Sequence, residues 1–364
     1  MPKIRVMVVD DSALIRKLLT GLLTADPELE VVGTAPNGKI ALTKISQINP
    51  DLITLDVEMP EMDGLETVTE IRKIYPKLPV IMCSTLTMSG GHSTLDALAR
   101  GADDYVTKPS ASLSQDELRD TFGSVLIAKI KALVAHRPLL EKIFEPKPGL
   151  TQAPRPIYRP SLTQEPINVV TIGTSTGGPN ALTELIVDIP AEFPVPLLIV
   201  QHMPPLFTRL LAERLTQKGH IPVTEAVEGE EVFPGHAWVA PGNFHMTVVA
   251  QGDKKIIRLN QDPPENSCRP AVDVLFRSVA ACYGKNTLAV VMTGMGYDGL
   301  RGSEHIREAG GRVLAQDEAT SVVWGMPGAV ATAGLADKIL PLKQLGTEIV
   351  HRVKQSRLKG LAHD

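Results

Sequence analysis

Residues that could do chemistry occur in two separate groups, one in each half of this chain. In the first half, Asp10-Asp11, Asp56 and Lys108-Pro109 each follow a short apolar run. Three carboxylates brought together repel one another unless a cation joins them, and Mg²⁺ prefers oxygen ligands and keeps positions open for phosphate. Because a carboxylate beside such a cation can attack a phosphoryl donor, this group predicts a phosphate-and-magnesium switch.

The second group combines a hydroxyl, an imidazole and a carboxylate. Ser175 lies in the segment GTSTGG at 173–178, which satisfies the G-x-S-x-G nucleophile-elbow pattern. Serine needs a base to remove its proton, and His202 is the candidate because it follows an apolar run. Asp298, in a glycine-rich loop, is the candidate acid that would hold the imidazole in one tautomer. Together the two groups predict a hydrolase that is controlled by phosphorylation.

Each of these residues, taken alone, also has an ordinary structural explanation. An aspartate at a strand end is most often a helix cap, and a single histidine is most often structural. A glycine-rich turn before a helix is a common phosphate cradle, although no lysine follows the glycine pair as a P-loop requires. Cys268, beside Arg269, is a second candidate nucleophile, but the expectation is that it is an apolar packing residue.

Strand-like and helical segments alternate along both halves and should position these groups. Short β-branched runs without a 3.6-residue period predict buried parallel strands. The alternation predicts an α/β fold made of two doubly wound parallel-sheet domains, the second larger and Rossmann-like with a small antiparallel excursion at 228–257. Helices are predicted at 94–99 and 115–134, among others. The predicted strands are 4–9, 30–35, 52–55, 80–84, 104–106, 168–172, 197–201 and 288–292. In such sheets ligands gather at the carboxyl ends of the strands, where the candidate residues lie.

Proline marks the expected boundary between the two domains. Seven of the 31 residues from 136 to 166 are proline, which neither continues a helix nor pairs within a sheet. We therefore predict a first domain over 1–135, a linker over 136–166, a second domain over 167–355 and a tail over 356–364.

Composition narrows the class of protein. The 364 residues suffice for two domains, and 43% hydrophobic with 4% aromatic content predicts aliphatic cores. A net charge of −4 without a basic block argues against nucleic-acid binding. The chain shows no signal-peptide layout, no apolar stretch near the roughly 20 residues of a membrane span, and no CxxC pair. A cytoplasmic protein without membrane insertion is expected.

The first half resembles the receiver domain of two-component response regulators over roughly residues 1–125. The resemblance rests on Val8-Val9-Asp10-Asp11-Ser12, on the segment 56–64 and on Lys108-Pro109. It implies that Asp56 is the phosphoacceptor and allows a cis peptide bond before Pro109. The further roles that it implies are Mg²⁺ ligation by Asp10, Asp11, Asp56 and the backbone carbonyl of Glu58, and switch positions at Ser84, Tyr105 and Lys108.

The second half resembles the catalytic domain of chemotaxis protein-glutamate methylesterases (CheB-type). The order Ser, His, Asp differs from that of α/β-hydrolases, which place the acid before the histidine. The segments that carry the resemblance are 172–179, 201–204, 270–276, 293–299 and 324–327. It implies that Ser175 is the nucleophile, His202 the base and acid, and Asp298 the orienting acid, with the backbone N–H of Met295 in the oxyanion hole.

The two resemblances together imply an activity, its control and its partners. The reaction would release methanol from glutamate methyl esters of chemoreceptors and deamidate receptor glutamines, with the receiver inhibiting until Asp56 is phosphorylated. Chemoreceptors would be the substrates and a chemotaxis histidine kinase the phosphodonor. Mg²⁺ is expected in the receiver and no cofactor in the esterase reaction. Two alternatives stay open for the second half: a binding module, or a phosphoryl-transfer enzyme that uses the glycine loop.

Overall fold

A computed structural model of the protein describes residues 2–85, 87–108, 122–135 and 165–360. The chain forms two compact units, residues 1–145 and 146–364. Each unit is built around its own parallel sheet. Most of the predicted linker, 136–164, lies outside the described residues. In the described part of the chain, no helix is long and apolar enough to cross a membrane.

The first unit contains a five-stranded parallel sheet. Its strand order is β2-β1-β3-β4-β5, so the order reverses between β1 and β3, where the carboxyl ends of the strands open a crevice. The strands are β1 (Ile4–Val9), β2 (Leu29–Ala35), β3 (Leu52–Asp56), β4 (Val80–Ser84) and β5 (Asp104–Thr107). The helices are Ala13–Thr24, Gly38–Ile48, Gly64–Ile74, Met88–Ala99 and Ser124–Ala135.

Polar residues fix where the helices of this unit begin. Ser12, Asn37, Asp63 and Thr87 each accept a hydrogen bond from a backbone N–H in the first turn, which satisfies one of the donors that a helix start leaves free. The helix predicted at 94–99 is too short, because Thr87 caps a helix that begins at Met88 and two glycines in its first turns hide the helical pattern. The helix predicted at 115–134 is confirmed at its C-terminal end by the helix Ser124–Ala135, and residues 115–121 lie outside the described part of the chain.

The second unit contains a seven-stranded sheet in which every pairing is parallel. Its order is β14-β13-β12-β6-β7-β9-β8. The strands are β6 (Val169–Thr174), β7 (Leu197–Gln201), β8 (Val223–Glu225), β9 (Ala237–Val239), β12 (Thr287–Val291), β13 (Arg312–Gln316) and β14 (Lys338–Leu340), and a separate antiparallel hairpin joins β10 (His245–Gln251) to β11 (Lys254–Asn260). The predicted antiparallel excursion is confirmed for this hairpin, but β9 within the same segment joins the parallel sheet.

Helices cover the second sheet, which accounts for the apolar composition of its central strands. Strands β7 and β12 are buried along their whole length, as expected when helices cover both faces of a parallel sheet. Each buried aliphatic side chain contributes about 1.5–3 kcal/mol to stability. The helices are Gly178–Val187, Phe207–Lys218, Val272–Tyr283, Leu300–Glu308, Met326–Thr332 and Leu342–Gly360, with a 3₁₀ turn at Gly284–Asn286. The last of these helices includes the first residues of the predicted tail.

Candidate catalytic site and candidate phosphorylation site

Ser175 and His202 follow neighbouring strands of the second sheet. Thr174 at the end of β6 pairs with Gln201 at the end of β7, and the backbone N–H of His202 donates to the carbonyl of Thr174 at 3.2 Å. Asp298 comes from the loop after β12, the strand on the other side of β6. Because the strand order reverses between β6 and β12, these loops border the crevice where open parallel sheets bind ligands.

His202 and Asp298 form a buried ion pair. Nε2 of His202 lies 2.8 Å from Oδ2 of Asp298, which is 2% exposed. Burial lowers the pKa of His202, but hydrogen bonds to Asp298 and Cys268 outweigh it and raise that pKa to about 10. Burial in turn favours a neutral Asp298, yet the hydrogen bond and charge of His202 hold its pKa below the usual value. The imidazole is therefore fixed by its Nε2, which leaves Nδ1 for another partner.

The carboxylate of Asp298 also lies at the beginning of the helix Val272–Tyr283. Its Oδ2 accepts a hydrogen bond from the backbone N–H of Val272 at 2.7 Å, and its Oδ1 accepts one from Asp273 at 3.0 Å. A helix N-terminus favours a negative charge. The acid is thus kept ionised by the same contacts that fix its direction toward His202.

Ser175 lies on a turn whose backbone is held from three sides. Its N–H donates to the carbonyl of Thr293 at 3.0 Å, and its carbonyl accepts bonds from the N–H of Gly178 at 2.8 Å and from Nε2 of Gln201 at 2.9 Å. A Cβ atom at Gly294 would lie 2.8 Å from Cβ of Ser175. Glycine is therefore required at 294 for the loop after β12 to approach the serine.

The predicted oxyanion donor lies on this approaching loop. Met295 directly follows Gly294, whose own N–H is used by the carbonyl of Val323 at 2.9 Å. Within the described residues, the backbone N–H of Met295 donates no hydrogen bond. A free N–H beside Gly294, on the loop that approaches Ser175, is what stabilisation of an oxyanion requires.

Cys268 contacts the imidazole, which the sequence did not predict. Its Sγ lies 3.4 Å from Nδ1 of His202, and the residue is partly exposed rather than packed in the apolar core. Among the described residues, no hydrogen bond joins the hydroxyl of Ser175 to His202. Hydrogen bonds of catalytic groups are often long in free enzymes and tighten when substrate binds. The thiol of Cys268 therefore contacts the ring nitrogen, Nδ1, to which the hydroxyl of Ser175 would pass its proton.

Asp10, Asp56 and Lys108 meet at the crevice of the first unit. Nζ of Lys108 lies 2.7 Å from Oδ2 of Asp10 and 2.8 Å from Oδ2 of Asp56. Asp10, Asp56 and the exposed Asp11 each offer a carboxylate oxygen, and these oxygens all lie within 4.8 Å of one another. Burial raises the pKa of Asp56 despite Lys108, and hydrogen bonds to both aspartates raise the pKa of Lys108 despite its burial.

The oxygen atoms of this cluster fit Mg²⁺. Oδ2 of Asp10 is buried, and within the described residues no hydrogen bond of normal geometry reaches it, although the ammonium of Lys108 is close. Three carboxylates against one ammonium leave negative charge that a hard cation with oxygen ligands would balance. Glu58 lies in the loop directly after β3, two residues beyond Asp56.

The predicted switch residues Ser84 and Tyr105 lie on neighbouring strands. The hydroxyl of Ser84 is buried and donates to the carbonyl of Gly90 at 3.0 Å. Tyr105 is buried as well; Nζ of Lys129 lies 5.5 Å from its ring centroid, and burial raises the pKa of its phenol well above the usual value. Pro109 lies outside the described residues, and so does the peptide bond predicted to be cis.

Comparisons with known proteins identify the family. The model of the CheB methylesterase family matches residues 170–349, and that of the response regulator receiver domain matches residues 6–121. A protein-glutamate methylesterase/protein-glutamine glutaminase of Trichodesmium erythraeum is 52% identical over 353 residues, which are 97% of this chain and 100% of the relative. The chain belongs to the CheB methylesterase family.

Other relatives agree with this family. A protein of the same name from Nocardioides sp. is 51% identical, over 98% of this chain and 97% of its own. The crystal structure of the CheB methylesterase catalytic domain of Thermotoga maritima is 43% identical, has a TM-score of 0.50, and covers 51% of this chain and 98% of that domain. The predicted fold class is confirmed. The CheB match includes the loops of Ser175, His202 and Asp298.

Three further residues around the CheB site were missed by the sequence: Asn266, Cys268 and Asp273. Asp273 lies in a segment that carries the family resemblance, so its position alone could have drawn attention to it. Asn266 and Cys268 lie a few residues earlier, in a stretch without motif or periodicity. Only their contacts with Asp298 and His202 show that they belong to the site.

Proposed function

We propose that this chain is a phosphorylation-controlled hydrolase of chemoreceptors. It removes methyl groups from glutamate methyl esters, with release of methanol, and deamidates glutamines. The ion pair of His202 and Asp298 beside Ser175 carries this proposal, because it supplies a base, its orienting acid and a nucleophile at one crevice. The relatives from Trichodesmium erythraeum and Nocardioides sp. are named for both activities.

In the proposed reaction Ser175 is the nucleophile. Its Oγ attacks the ester carbonyl carbon while its proton passes to His202. Because Nε2 is held by Asp298, Nδ1 is the nitrogen that accepts this proton. The step requires a neutral imidazole, and it requires the thiol of Cys268 to yield its place to the serine hydroxyl.

The second half of the reaction returns the proton. The backbone N–H of Met295 stabilises the negative oxygen of the tetrahedral intermediate. When the intermediate collapses, the carbon–oxygen bond to the methyl group's oxygen breaks, and His202 donates its proton to the departing methanol. Water, activated by His202, then hydrolyses the acyl-serine to a carboxylate. With a glutamine substrate the same steps release ammonia instead of methanol.

The receiver site is proposed to control this reaction. Asp56 attacks the phosphorus of a phosphohistidine on a chemotaxis histidine kinase, which breaks the phosphorus–nitrogen bond and leaves an aspartyl phosphate. Asp10, Asp11, Asp56 and the carbonyl of Glu58 would hold Mg²⁺, which when bound supplies positive charge for the phosphoryl oxygens. Lys108 already contacts Asp56 and adds further positive charge. Ser84 and Tyr105 would respond to the new phosphoryl group.

We infer that the receiver restrains the esterase until Asp56 is phosphorylated, because one chain carries both sites. A shift of a few kcal/mol between a restrained and an active state is enough to control activity strongly. The division into 1–135, 136–166, 167–355 and 356–364 is part of this proposal. All three cysteines are free, which suits a reducing cytoplasm.

Methanol release from methylated receptor tests the nucleophile. The variant Ser175→Ala should lose nearly all turnover, because no other hydroxyl is assigned to the attack. The matched variant Cys268→Ala should keep turnover, since the thiol only contacts the base. If Ser175→Ala retains substantial turnover while Cys268→Ala loses it, the nucleophile is the cysteine and the proposed mechanism is wrong.

A further inference from the structure

Two helices of the second unit begin side by side next to the catalytic acid. They are Val272–Tyr283 and Leu300–Glu308. Their N-cap residues, Ala271 and Gly299, supply no side-chain hydrogen bond to the first turn. The free N–H groups of a helix start need partners when they are buried. For these two helices, a carboxylate at or near the start of each one supplies partners to the other.

The acids Asp298 and Asp273 exchange caps between these helices. Asp298 directly precedes the second helix but accepts from the N–H groups of Val272 and Asp273 in the first. Asp273 lies in the first helix, and its Oδ1 accepts from the N–H of Gly299 at 2.9 Å and of Gly302 at 2.6 Å in the second. Asp298 therefore caps the helix Val272–Tyr283, and Asp273 caps the helix Leu300–Glu308.

The exchange requires close contact between the helices. A Cβ atom at Gly302 would lie 2.5 Å from Cβ of Phe276 and 3.1 Å from Cα of Asp273. Only glycine leaves room for this approach. The two carboxylates are consequently buried against one another, with Asp273 at 0% and Asp298 at 2% exposure.

Asn266 joins the two carboxylates. Its Nδ2 donates to Oδ1 of Asp298 and to Oδ2 of Asp273, both at 2.9 Å. An amide nitrogen has two protons to donate, so one side chain serves both acids. The loop of Asn266 is itself fixed to the first helix by the bidentate pair of Glu265 and Arg277, with both distances at 2.6 Å.

The network leaves Asp298 with little freedom to turn. Its two oxygens accept five hydrogen bonds, and only one of them comes from His202. Burial, together with the charge of Asp298, raises the pKa of Asp273 to about 6. The buried carboxylate of Asp273 therefore depends on the donors that Asn266 and the start of the second helix provide.

We propose that Asp273 and Asn266 are positioning residues that hold Asp298 against Nε2 of His202. Neither touches the reacting atoms in this proposal. The test by turnover rests on the proposed hydrolase function. The test by titration of the imidazole does not. A misplacement of about 1 Å in a catalytic group can cost about a hundredfold in rate.

The sharpest test removes the amide without disturbing the backbone. Asn266 has φ of 53°, and the exposed Ser267 beside it has φ of 62°, so glycine fits both positions. Asn266→Gly in the full-length chain deletes the amide, and Ser267→Gly is the matched control. Asp273→Asn is the second variant. It places an amide N–H₂ where Oδ2 of Asp273 accepts from Nδ2 of Asn266, so two donors would face each other and this hydrogen bond would be lost.

The first measurement is the titration of His202 by NMR with ¹⁵N-labelled histidine, assigned with His202→Gln. If Asp298 turns away in Asn266→Gly, the imidazole loses its hydrogen bond and the pKa of His202 falls. Ser267→Gly should titrate as the unmodified chain does. An unchanged His202 pKa in a folded Asn266→Gly overturns the proposal. A raised pKa overturns it too, because it would mean that Asn266 only weakens the negative charge of Asp298.

The second measurement determines kcat and KM for methanol release, because a positioning residue should affect kcat and leave KM unchanged. We expect kcat to fall about tenfold in Asn266→Gly and up to about a hundredfold in Asp273→Asn, with KM unchanged. A fall in kcat without any change in the His202 titration points to a general structural role and contradicts the proposal. If Asp273→Asn does not fold, Asn266→Gly decides alone. If Ser175→Ala keeps its turnover, the hydrolase function fails, and the His202 titration still tests the positioning.

Discussion

The two sites of this chain lie on the same type of parallel sheet, but their carboxylates differ in how many hydrogen bonds they accept. Both lie where the strand order of a parallel sheet reverses, and both pair a buried aspartate with a cationic side chain. In the receiver, no hydrogen bond of normal geometry from the described residues reaches Oδ2 of Asp10. In the esterase, Asp298 accepts five.

The difference shows how hydrogen bonding prepares a carboxylate for its task. Asp10, which we propose as a ligand of Mg²⁺, keeps unused acceptor capacity. An acid that must hold an imidazole in one orientation has that capacity filled by backbone and amide donors. Four predictions test this contrast, and they are taken from the largest expected effect to the smallest.

Asp298→Asn should have the largest effect, because it should abolish most of the esterase activity without changing phosphorylation of the receiver. An amide cannot hold the charged imidazole, and neutralising the orienting acid of a serine hydrolase costs about 10⁴-fold in kcat. Methanol release should fall by about this factor, while phosphorylation of Asp56 by a small-molecule phosphodonor stays unchanged. Equal loss at both sites would show that the substitution unfolds the chain rather than disturbing one carboxylate.

Removal of divalent metal should affect only the receiver. Because Asp10, Asp11 and Asp56 fit Mg²⁺ and the esterase reaction is assigned to side chains alone, EDTA should abolish stimulation by a phosphodonor and leave the basal methanol release within about twofold. Asp56→Asn should do the same without EDTA. A basal rate that also needs metal would contradict the assignment of the esterase reaction to Ser175 and His202.

Cys268→Ala should shift the pH profile of kcat/KM. The thiol helps to raise the pKa of His202, and the base must be unprotonated to act, so activity rises with pH through that pKa. Without the thiol the pKa falls, and the acid limb of the profile moves to lower pH. A profile identical to that of the unmodified chain would mean that the contact at 3.4 Å does not persist in solution.

Asp56 and His202 both have a raised pKa, so both stabilise the fold less as pH rises. At neutral pH only His202 still stabilises it, so substitutions of the two residues should shift the Tm in opposite directions. The raised pKa of Asp56 means that its stabilisation belongs to low pH and is lost as pH rises. Asp56→Asn should therefore increase the Tm of the first unit at neutral pH by a few degrees. The raised pKa of His202 gives stability below about pH 6.5 that is lost as pH rises toward 10.

His202→Gln should accordingly lower the Tm of the second unit at neutral pH, and it should remove the loss of stability that the unmodified chain shows as pH rises toward 10. Calorimetry of the full-length chain at several pH values measures both effects. Two shifts of the same sign would mean that charge burial acts alike at the two sites, and the contrast drawn between them would not hold.

Local pattern made much of this architecture predictable. Apolar runs without helical period predicted the strands that end at Asp10, Asp56, Ser175 and His202, because a parallel strand buried on both faces has no polar alternation. The helix at 94–99 was predicted too short, since glycines in its first turns weaken the helical pattern although Thr87 caps it. The segment 228–257 was predicted as an antiparallel excursion without separate strands, and β9 within it joins the parallel sheet instead, because three residues carry no information about their partners.

The sequence by itself determined which chemical groups follow the strands, and with them the two candidate sites, because the positions of strands and loops along the chain follow from local periodicity. Only the tertiary structure decided that Nε2 of His202 faces Asp298, that Cys268 contacts Nδ1, and that Asn266 joins Asp298 to Asp273. These contacts connect residues far apart in the chain, and their directions depend on how two helices pack. Periodicity records which face of an element is buried, but it does not record which neighbour a side chain meets there.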